Sequence, residues 1–372
     1  PLFFFTPPPP HPRSSLVSWA RDVYKRQAVM TLNIKDKPKD GFERVVYAEE
    51  DKFNFYSVIA IHNTKRGPAL GGCRYFNYQD FNKQEEDVLK LAEAMTYKNS
   101  LAELPFGGGK ATIHSKIKKK DAYSLFGEVL NKLNGTYITA GDMGTVDEDL
   151  RGFREYSDHV CNPIGSDSGL GTALGVYYSM LGCVEFKFGQ DSLVNKNIFI
   201  KGYGKTGSRI ASLCKKDGAN IEISDLEHKK DLIERDGYKF CSQLQDTSFE
   251  KIDIYSPCAG GGDLNTEFLN FANNKISMIT GSANNQLDNI DIEKELYKKG
   301  ILYCPDYCAN AGGVIILGSR ISIKEDLEPD DKIVDDLLKK IKSRTKFILE
   351  KSQKDLILAS NIASEMALDG LK

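Results

Sequence analysis

Residues 197–225 read NIFIKGYGKTGSRIASLCKKDGANIEISD. An apolar, β-branched run gives way to Gly202-x-Gly204-x-x-Gly207, then to a stretch with Gly207, Ile210, Ala211 and Cys214 on one helical face, then to a second β-branched run ending at Asp225. Strand, glycine turn, helix, strand is the order of a dinucleotide-binding βαβ unit. There the first glycine makes a tight turn, the second lets a pyrophosphate approach the backbone, and the third lets the helix pack closely on the strand. Asp225 lies 18 residues beyond Gly207, near the ~20 expected of an acid that binds a ribose. A turn that only packs helix on strand is the alternative; the flanking elements and Asp225 favour the dinucleotide. A carboxylate there binds ribose hydroxyls and repels a 2′-phosphate, which favours NAD over NADP. His228, Lys229 and Lys230 follow closely and work against that repulsion.

Outward from this unit, residues from about Val194 to Pro305 alternate apolar strands with helical stretches, as a doubly wound parallel sheet requires. Two further loops fall where such a sheet meets its ligand: SPCAGG (256–261) after IDIY, and TGSANN (280–285) after ISMI. Cys258, Ala259, Ser282, Ala283 and Asn284 are therefore expected beside the cofactor, ordinary strand-to-helix turns being the alternative. Between Asp40 and about Gly165, SVIAIHN (57–63) and TYITAGD (136–142) read as strands. KQEEDVLKLAEAMTYKNSLAEL (83–104) reads as a helix, with Val88, Leu91, Ala92, Met95 and Asn99 at helical spacing and Lys98 near its end. Beyond Asp326, residues 330–353 and 359–372 read as amphipathic helices. The fold class expected is α/β, with no internal repeat.

A chain of 372 residues is long for one core, so two domains are expected. Fifty Lys and Arg against 52 Asp and Glu give no electrostatic reason for nucleic acid or an anionic membrane, and the partner expected is a small molecule. Eight scattered cysteines without C-x-x-C pairs read as reduced thiols of a cytoplasmic protein, with no metal site. No apolar run is long enough to span a membrane. The first residues differ from the rest: PLFFFTPPPP lacks the features of a signal peptide, and DVYKRQ (22–27) is what a common transposase sequencing adaptor encodes in one frame. Residues 1–29, with the single tryptophan Trp19, are expected to be a non-native or disordered extension, the natural chain starting at or near Met30.

In LPFGGGKATI (104–113) three glycines precede Lys110. A phosphate-binding P-loop needs Gly five residues before the Gly-Lys pair and Ser or Thr after it; here those positions are Leu104 and Ala111. Gly204-Lys205-Thr206 fails likewise, with Phe199 in place of the first glycine. Neither lysine serves a P-loop.

GPALGGCR (67–74), MTYKNSLAELPFGGGKATI (95–113), YITAGDMGT (137–145), the glycine-turn segment, GSANNQL (281–287) and PDYCANAGGVI (305–315) together resemble the glutamate, leucine, phenylalanine and valine dehydrogenase superfamily, nearest its leucine and phenylalanine branch. The resemblance implies an N-terminal α/β substrate domain (30–165), a Rossmann NAD-binding domain (166–325) and C-terminal helices (326–372) returning to the first domain, in a homo-oligomer. It implies oxidative deamination of an amino acid to a 2-keto acid and ammonia. Lys110 matches the catalytic lysine, and the glycines before it would let substrate and water approach. A lysine acts as a base only when part of it is neutral, which burial and a like charge such as Lys98 favour. Lys98 matches the lysine that binds the α-carboxylate, Asp142 the acid that holds the amino group and exchanges protons, and Asn310 an amide that orients the carboxylate. Thr172 would hold the nicotinamide carboxamide, although GSDSGLGTALGVY (165–177) departs from the usual run before that threonine, and Gly141 stands where relatives often have glutamate.

Glutamate-specific relatives carry a lysine before the Gly-Gly of the first motif; here Leu70 precedes Gly71 and Gly72. Gly71 and Ala140 are expected to leave room for a branched side chain, with LILASNIA (356–363) as the far wall. The reading is thus an NAD-dependent dehydrogenase of an apolar L-amino acid, leucine-like before phenylalanine- or valine-like. The competing readings are another nicotinamide dehydrogenase and a ligand-sensing Rossmann protein without catalysis. Loss of catalysis would show as replacement of Lys98, Lys110 or Asp142, and all three are present.

Overall fold

The computed structural model of the chain describes residues 32–161, 167–321 and 331–371. The expected extension 1–29 and the expected domain limits at 165/166 and 325/326 lie outside the described residues.

The first half holds β1 (Asn33–Asp36), β2 (Arg44–Glu50), β3 (Phe55–Asn63), β4 (Ala69–Phe76), α1 (Phe81–Leu101), β5 (Gly107–His114), α2 (Lys119–Leu133), β6 (Tyr137–Gly141) and α3 (Asp147–Arg154). Its strands run in the order β1-β2-β3-β5-β4-β6, with β4 parallel to both β5 and β6 and the remaining pairs antiparallel. Strand alternation sorts the side chains onto two faces. Val46, Ala48, Ile59, Ile61, Ala111 and Ile113 pack against α2 and α3, while Val45, Tyr47, Val58 and Ala60 pack against Val88 and Ala92 of α1. Lys110, one residue before Ala111, therefore faces the α1 side, toward Lys98. The Asp80 side chain caps α1 by accepting from the Lys83 N–H at 2.9 Å. The helix buries Val88, Leu91, Ala92, Met95 and Asn99 as the spacing predicts.

The second half begins with α4 (Ser168–Phe188) and continues through β7 (Asn197–Lys201), α5 (Gly207–Lys216), β8 (Asn220–Ser224), α6 (Lys230–Arg235), β9 (Lys239–Cys241), β10 (Ile252–Pro257), α7 (Thr266–Ala272), β11 (Ile276–Ile279), α8 (Ile290–Lys298) and β12 (Leu302–Tyr303). All pairs in the order β12-β11-β10-β7-β8-β9 are parallel. The order reverses between β7 and β10, the crevice where a doubly wound sheet takes its ligand. Gly207, Ile210, Ala211 and Cys214 are the buried face of α5.

The chain ends in α9 (Asp306–Ala309), α10 (Gly312–Ile321), α11 (Asp331–Asp355) and α12 (Ala359–Asp369). These helices tie the halves together. The start of α12 is held to the parallel-sheet half, where the buried Glu293 carboxylate accepts from the Ser360 N–H at 2.9 Å. Its far end is held to the first half: the Ser100 hydroxyl donates to the Ala367 carbonyl and Arg66 to the Gly370 carbonyl, both at 2.6 Å.

Candidate active site

The two halves enclose a cleft of about 270 Å³, lined by β4, β5, β6, α1, α4, Ser282, Asn284, Asn285, α9 and α10. Leu91, Ala94, Met95 and Lys98 present one stripe of α1 to it. Lys110 enters from β5, where it pairs with Ala60, and Asp142 follows directly on β6.

Lys110, only 5% exposed, places its Nζ 3.0 Å from Asp142 Oδ1. The other carboxylate oxygen, Oδ2, accepts from Arg74 Nε at 2.9 Å. Burial alone would raise the Asp142 carboxyl, but Lys110 and Arg74 outweigh it and hold the group down at about 2. Asp142 is therefore a carboxylate at neutral pH. Its backbone N–H donates to Thr145 Oγ1 at 2.8 Å, and that hydroxyl in turn donates to the Cys73 carbonyl at 2.7 Å, which anchors the turn to β4.

Lys98 Nζ donates to Asn284 Oδ1 at 3.2 Å, so a side chain of the first half meets a loop of the second. Although its amine is open to the cleft, burial of the group lowers its proton affinity; Asp306 opposes the shift and Lys110 adds to it, leaving the ammonium at about 8. The Lys98 amine thus holds its proton less tightly than an exposed lysine does. Asp306, which also lines the cleft, is pushed up by burial against the opposing charge of Lys98, and it accepts from the Asn285 N–H at 2.6 Å. Asn310 donates to Ser282 O at 3.2 Å and to Asn284 Oδ1 at 2.8 Å. Both amide hydrogens are engaged, so orienting a substrate carboxylate requires Asn310 to exchange one of these bonds; its buried Oδ1 has no partner.

Apolar groups line the cleft as well: Leu70, 1% exposed, and Ala140 belong to one buried cluster with Val314 and Leu317 of α10. The far wall expected from residues 356–363 is thus supplied by α10. That segment instead borders a separate cavity with Leu356 and Ala359, because α12 is drawn toward Glu293 and α1. The glycines also need a different account. Gly71 lines the cleft, but a Cβ on it would lie 1.7 Å from the Gly109 carbonyl oxygen, so its smallness serves the approach of β4 to β5 rather than substrate room. Gly72 similarly makes room for Asp142, whose Cβ would be 2.8 Å from one on this glycine. The space before Lys110 is filled by protein: a Cβ on Gly107 would meet the Asn63 carbonyl at 1.9 Å, and one on Gly108 the Thr96 nitrogen at 2.1 Å. These glycines let β3 and α1 close on β5; they do not open it to water.

The nucleotide crevice fits a dinucleotide. A Cβ on Gly202, whose φ is +107°, would lie 2.8 Å from Ala259 N, and one on Gly207 would lie 2.0 Å from Gly202 O, whereas one on Gly204 would meet nothing within 4 Å. The middle glycine alone faces open space, beside the N-terminus of α5, where backbone N–H groups and helix dipole favour a pyrophosphate. Asp225 lines a cleft of about 390 Å³ with Gly202, Leu226 and Ala259, and accepts from the Tyr203 and Leu226 N–H groups at 2.5 and 2.6 Å. Lys229 donates to Tyr203 O at 3.1 Å and so is partly occupied with the glycine turn. Thr172 and Ser282 line the catalytic cleft with Thr206, while the Ala283 N–H donates to Pro257 O at 3.0 Å. Cys258 is half-buried, with its N–H on Lys201 O at 2.7 Å. Asp225→Ser is expected to weaken NAD binding and relax discrimination against NADP, since it removes both ribose acceptors and the repelling charge; titration of both cofactors checks it, and an unchanged preference would count against Asp225.

Sequence reading missed Arg74, Asp306, Val314 and Leu317. Arg74 and Asp306 stand inside recognised motifs, and the apolar i, i+3 spacing of Val314 and Leu317 was the available signal for the wall.

Residues 43–158 match the Glu/Leu/Phe/Val dehydrogenase dimerisation domain, and residues 222–369 match the glutamate/leucine/phenylalanine/valine dehydrogenase family. The chain is 36% identical over 294 residues to a leucine dehydrogenase of Bacillus subtilis (strain 168), covering 76% of this chain and 80% of that protein. It is 34% identical over 314 residues to a phenylalanine dehydrogenase of Bacillus thermotolerans, covering 81% and 82%. Among solved structures, the L-tryptophan dehydrogenase of Nostoc punctiforme superposes with a TM-score of 0.76 at 29% identity, covering 89% of this chain and 96% of that one.

Proposed function

The chain belongs to the Glu/Leu/Phe/Val dehydrogenase family, and on that premise we propose that it catalyses reversible, NAD-dependent oxidative deamination of an apolar L-amino acid, branched-chain before aromatic, to the 2-keto acid and ammonia. One observation carries this reading: a single cleft lined both by Lys98, Lys110 and Asp142 and by the apolar cluster of Leu70, Ala140, Val314 and Leu317. Lys98 holds the α-carboxylate as a point charge, exchanging its bond to Asn284. Asp142 Oδ1 receives the amino group, and the cleft directs the side chain toward α10. Lys110 takes a proton from the water that attacks the imine and returns it to the departing amine. Nicotinamide, when bound, accepts the hydride lost from Cα; Gly202, Gly204, Gly207 and Asp225 would hold its dinucleotide, with Thr172, Ser282 and Asn284 nearer the reacting end.

The match of residues 43–158 to a dimerisation domain supports a homo-oligomer. Eight cysteines without a disulfide support a reducing compartment such as the cytoplasm. No helix among the described residues is long and apolar enough to cross a membrane.

Absorbance of the reduced cofactor, followed with a panel of L-amino acids and both NAD and NADP, tests the reading. NAD reduction with leucine, isoleucine or valine at a kcat/KM above that with phenylalanine is the expected result. Phenylalanine first would move the proposal to the aromatic relative, and no reduction with any amino acid would favour the non-catalytic reading.

A further inference from the structure

Asp142 is shared. Lys110 approaches one oxygen from β5, and Arg74 takes the other from β4. Arg74 is itself fastened behind: its Nη1 donates to both oxygens of Asp87 on α1, at 3.1 and 2.9 Å, and the Tyr78 hydroxyl donates to the same carboxylate at 2.7 Å. Arg74 and Tyr78 are nearly buried, with 13% of the Arg74 side chain exposed. Tyr78, Asp87, Arg74, Asp142 and Lys110 thus form one chain of charge-assisted bonds ending at the cleft.

We infer that Arg74 is a positioning residue for the deamination proposed above, on which this inference rests: its guanidinium fixes Asp142 with one oxygen toward the substrate amine, and draws off enough of the carboxylate's charge that Lys110 is not locked in an exclusive ion pair. Two geometric facts carry it. A planar guanidinium reaching two carboxylates from different elements sets an orientation that a lone Lys110–Asp142 pair would leave free to rotate. Two cations on one buried carboxylate also divide its field, and they repel each other across it. The other ionisable groups around Asp142 are Lys98 on α1 and the buried Cys73 and Tyr137; Asp87 lies behind Arg74 and neutralises its far side.

The test compares wild type with Arg74→Gln, Arg74→Lys and Asp87→Asn, using L-leucine and NAD across neutral to alkaline pH, with NADH binding followed by fluorescence. Arg74→Gln is expected to lower kcat by at least about tenfold, leave NADH affinity unchanged, and move the acid limb of the kcat/KM profile up by about one pH unit, because Lys110 then has Asp142 to itself. Arg74→Lys keeps the charge and loses the fork, so kcat falls while the limb stays in place. Asp87→Asn loosens the anchor without touching Asp142, so kcat falls by less; because it removes the negative charge behind Arg74 and leaves more of the guanidinium's charge to Asp142, the limb moves down rather than up. It carries the test if Arg74→Gln does not fold. An active wild type with an unmoved acid limb in Arg74→Gln, or in Asp87→Asn where that variant stands in, overturns the role of Arg74 alone. A wild type inactive on every amino acid overturns the proposed function and this inference with it.

Discussion

Lys110→Ala is expected to lower kcat for amino acid oxidation by about a thousandfold, within the range of lost general acid–base catalysis, and to leave the dissociation constant for NAD nearly unchanged. The nucleotide crevice is built by β7, β8, β10 and their loops, none of which carries Lys110. The lysine is 5% exposed, with its ammonium 3.0 Å from Asp142. Its removal does not leave an unpaired buried carboxylate, since Arg74 remains 2.9 Å from the other oxygen. The loss is therefore expected in chemistry rather than in folding. Steady-state kinetics with a thermal melt checks this; activity within a few-fold of wild type would refute the assignment.

L-glutamate is expected to be a poor substrate, with kcat/KM at least about a hundredfold below that of the best apolar amino acid. Its side-chain carboxylate would be pressed against Leu70 and Ala140, at 1% and 3% exposure, and against Val314 and Leu317. Desolving an unpaired carboxylate there costs several kcal/mol, whereas an alkyl group gains roughly 25 cal/mol for each Å² of apolar surface removed from water. The cleft's ammonium groups, Lys98 and Lys110, are committed to the reacting centre in the proposed pose. Kinetics with glutamate, leucine, valine and phenylalanine decide it. A higher kcat/KM for glutamate than for all three others would show that Leu70 does not set the preference.

How far the sequence could be read depends on the range over which each residue acts. Gly202, Gly204 and Gly207 act over a few residues, between a strand and a helix that their own patterns define, and the structure places two of them in tight backbone contact and the third before open space. The buried face of α1 was legible for the same reason: helical spacing is local. The glycines before Lys110 were legible as a motif and misread in purpose, because what fills the place of their missing Cβ atoms, Asn63 and Thr96, comes from elements remote in sequence. Gly71 was misread likewise: small residues facing a pocket and small residues required by a neighbouring strand look the same in a string of letters.

The sequence by itself determined the α/β class, the parallel βαβ unit with Asp225 at the end of its second strand, and the family, since each rests on period, turn chemistry or motif order within short stretches. Only the tertiary structure decided that Arg74 shares Asp142 with Lys110, that Asn284 and Asp306 meet Lys98 across the two halves, and that α10 rather than residues 356–363 lines the cleft with Leu70 and Ala140. Arg74 and Lys110 come from neighbouring parallel strands, β4 and β5, with α1 between them in sequence, while α10 reaches the cleft because it packs on α4 and near Leu104 and Phe106. Pairing and packing across such distances set which charges divide a carboxylate and which wall a side chain meets, and no local pattern in the chain encodes them.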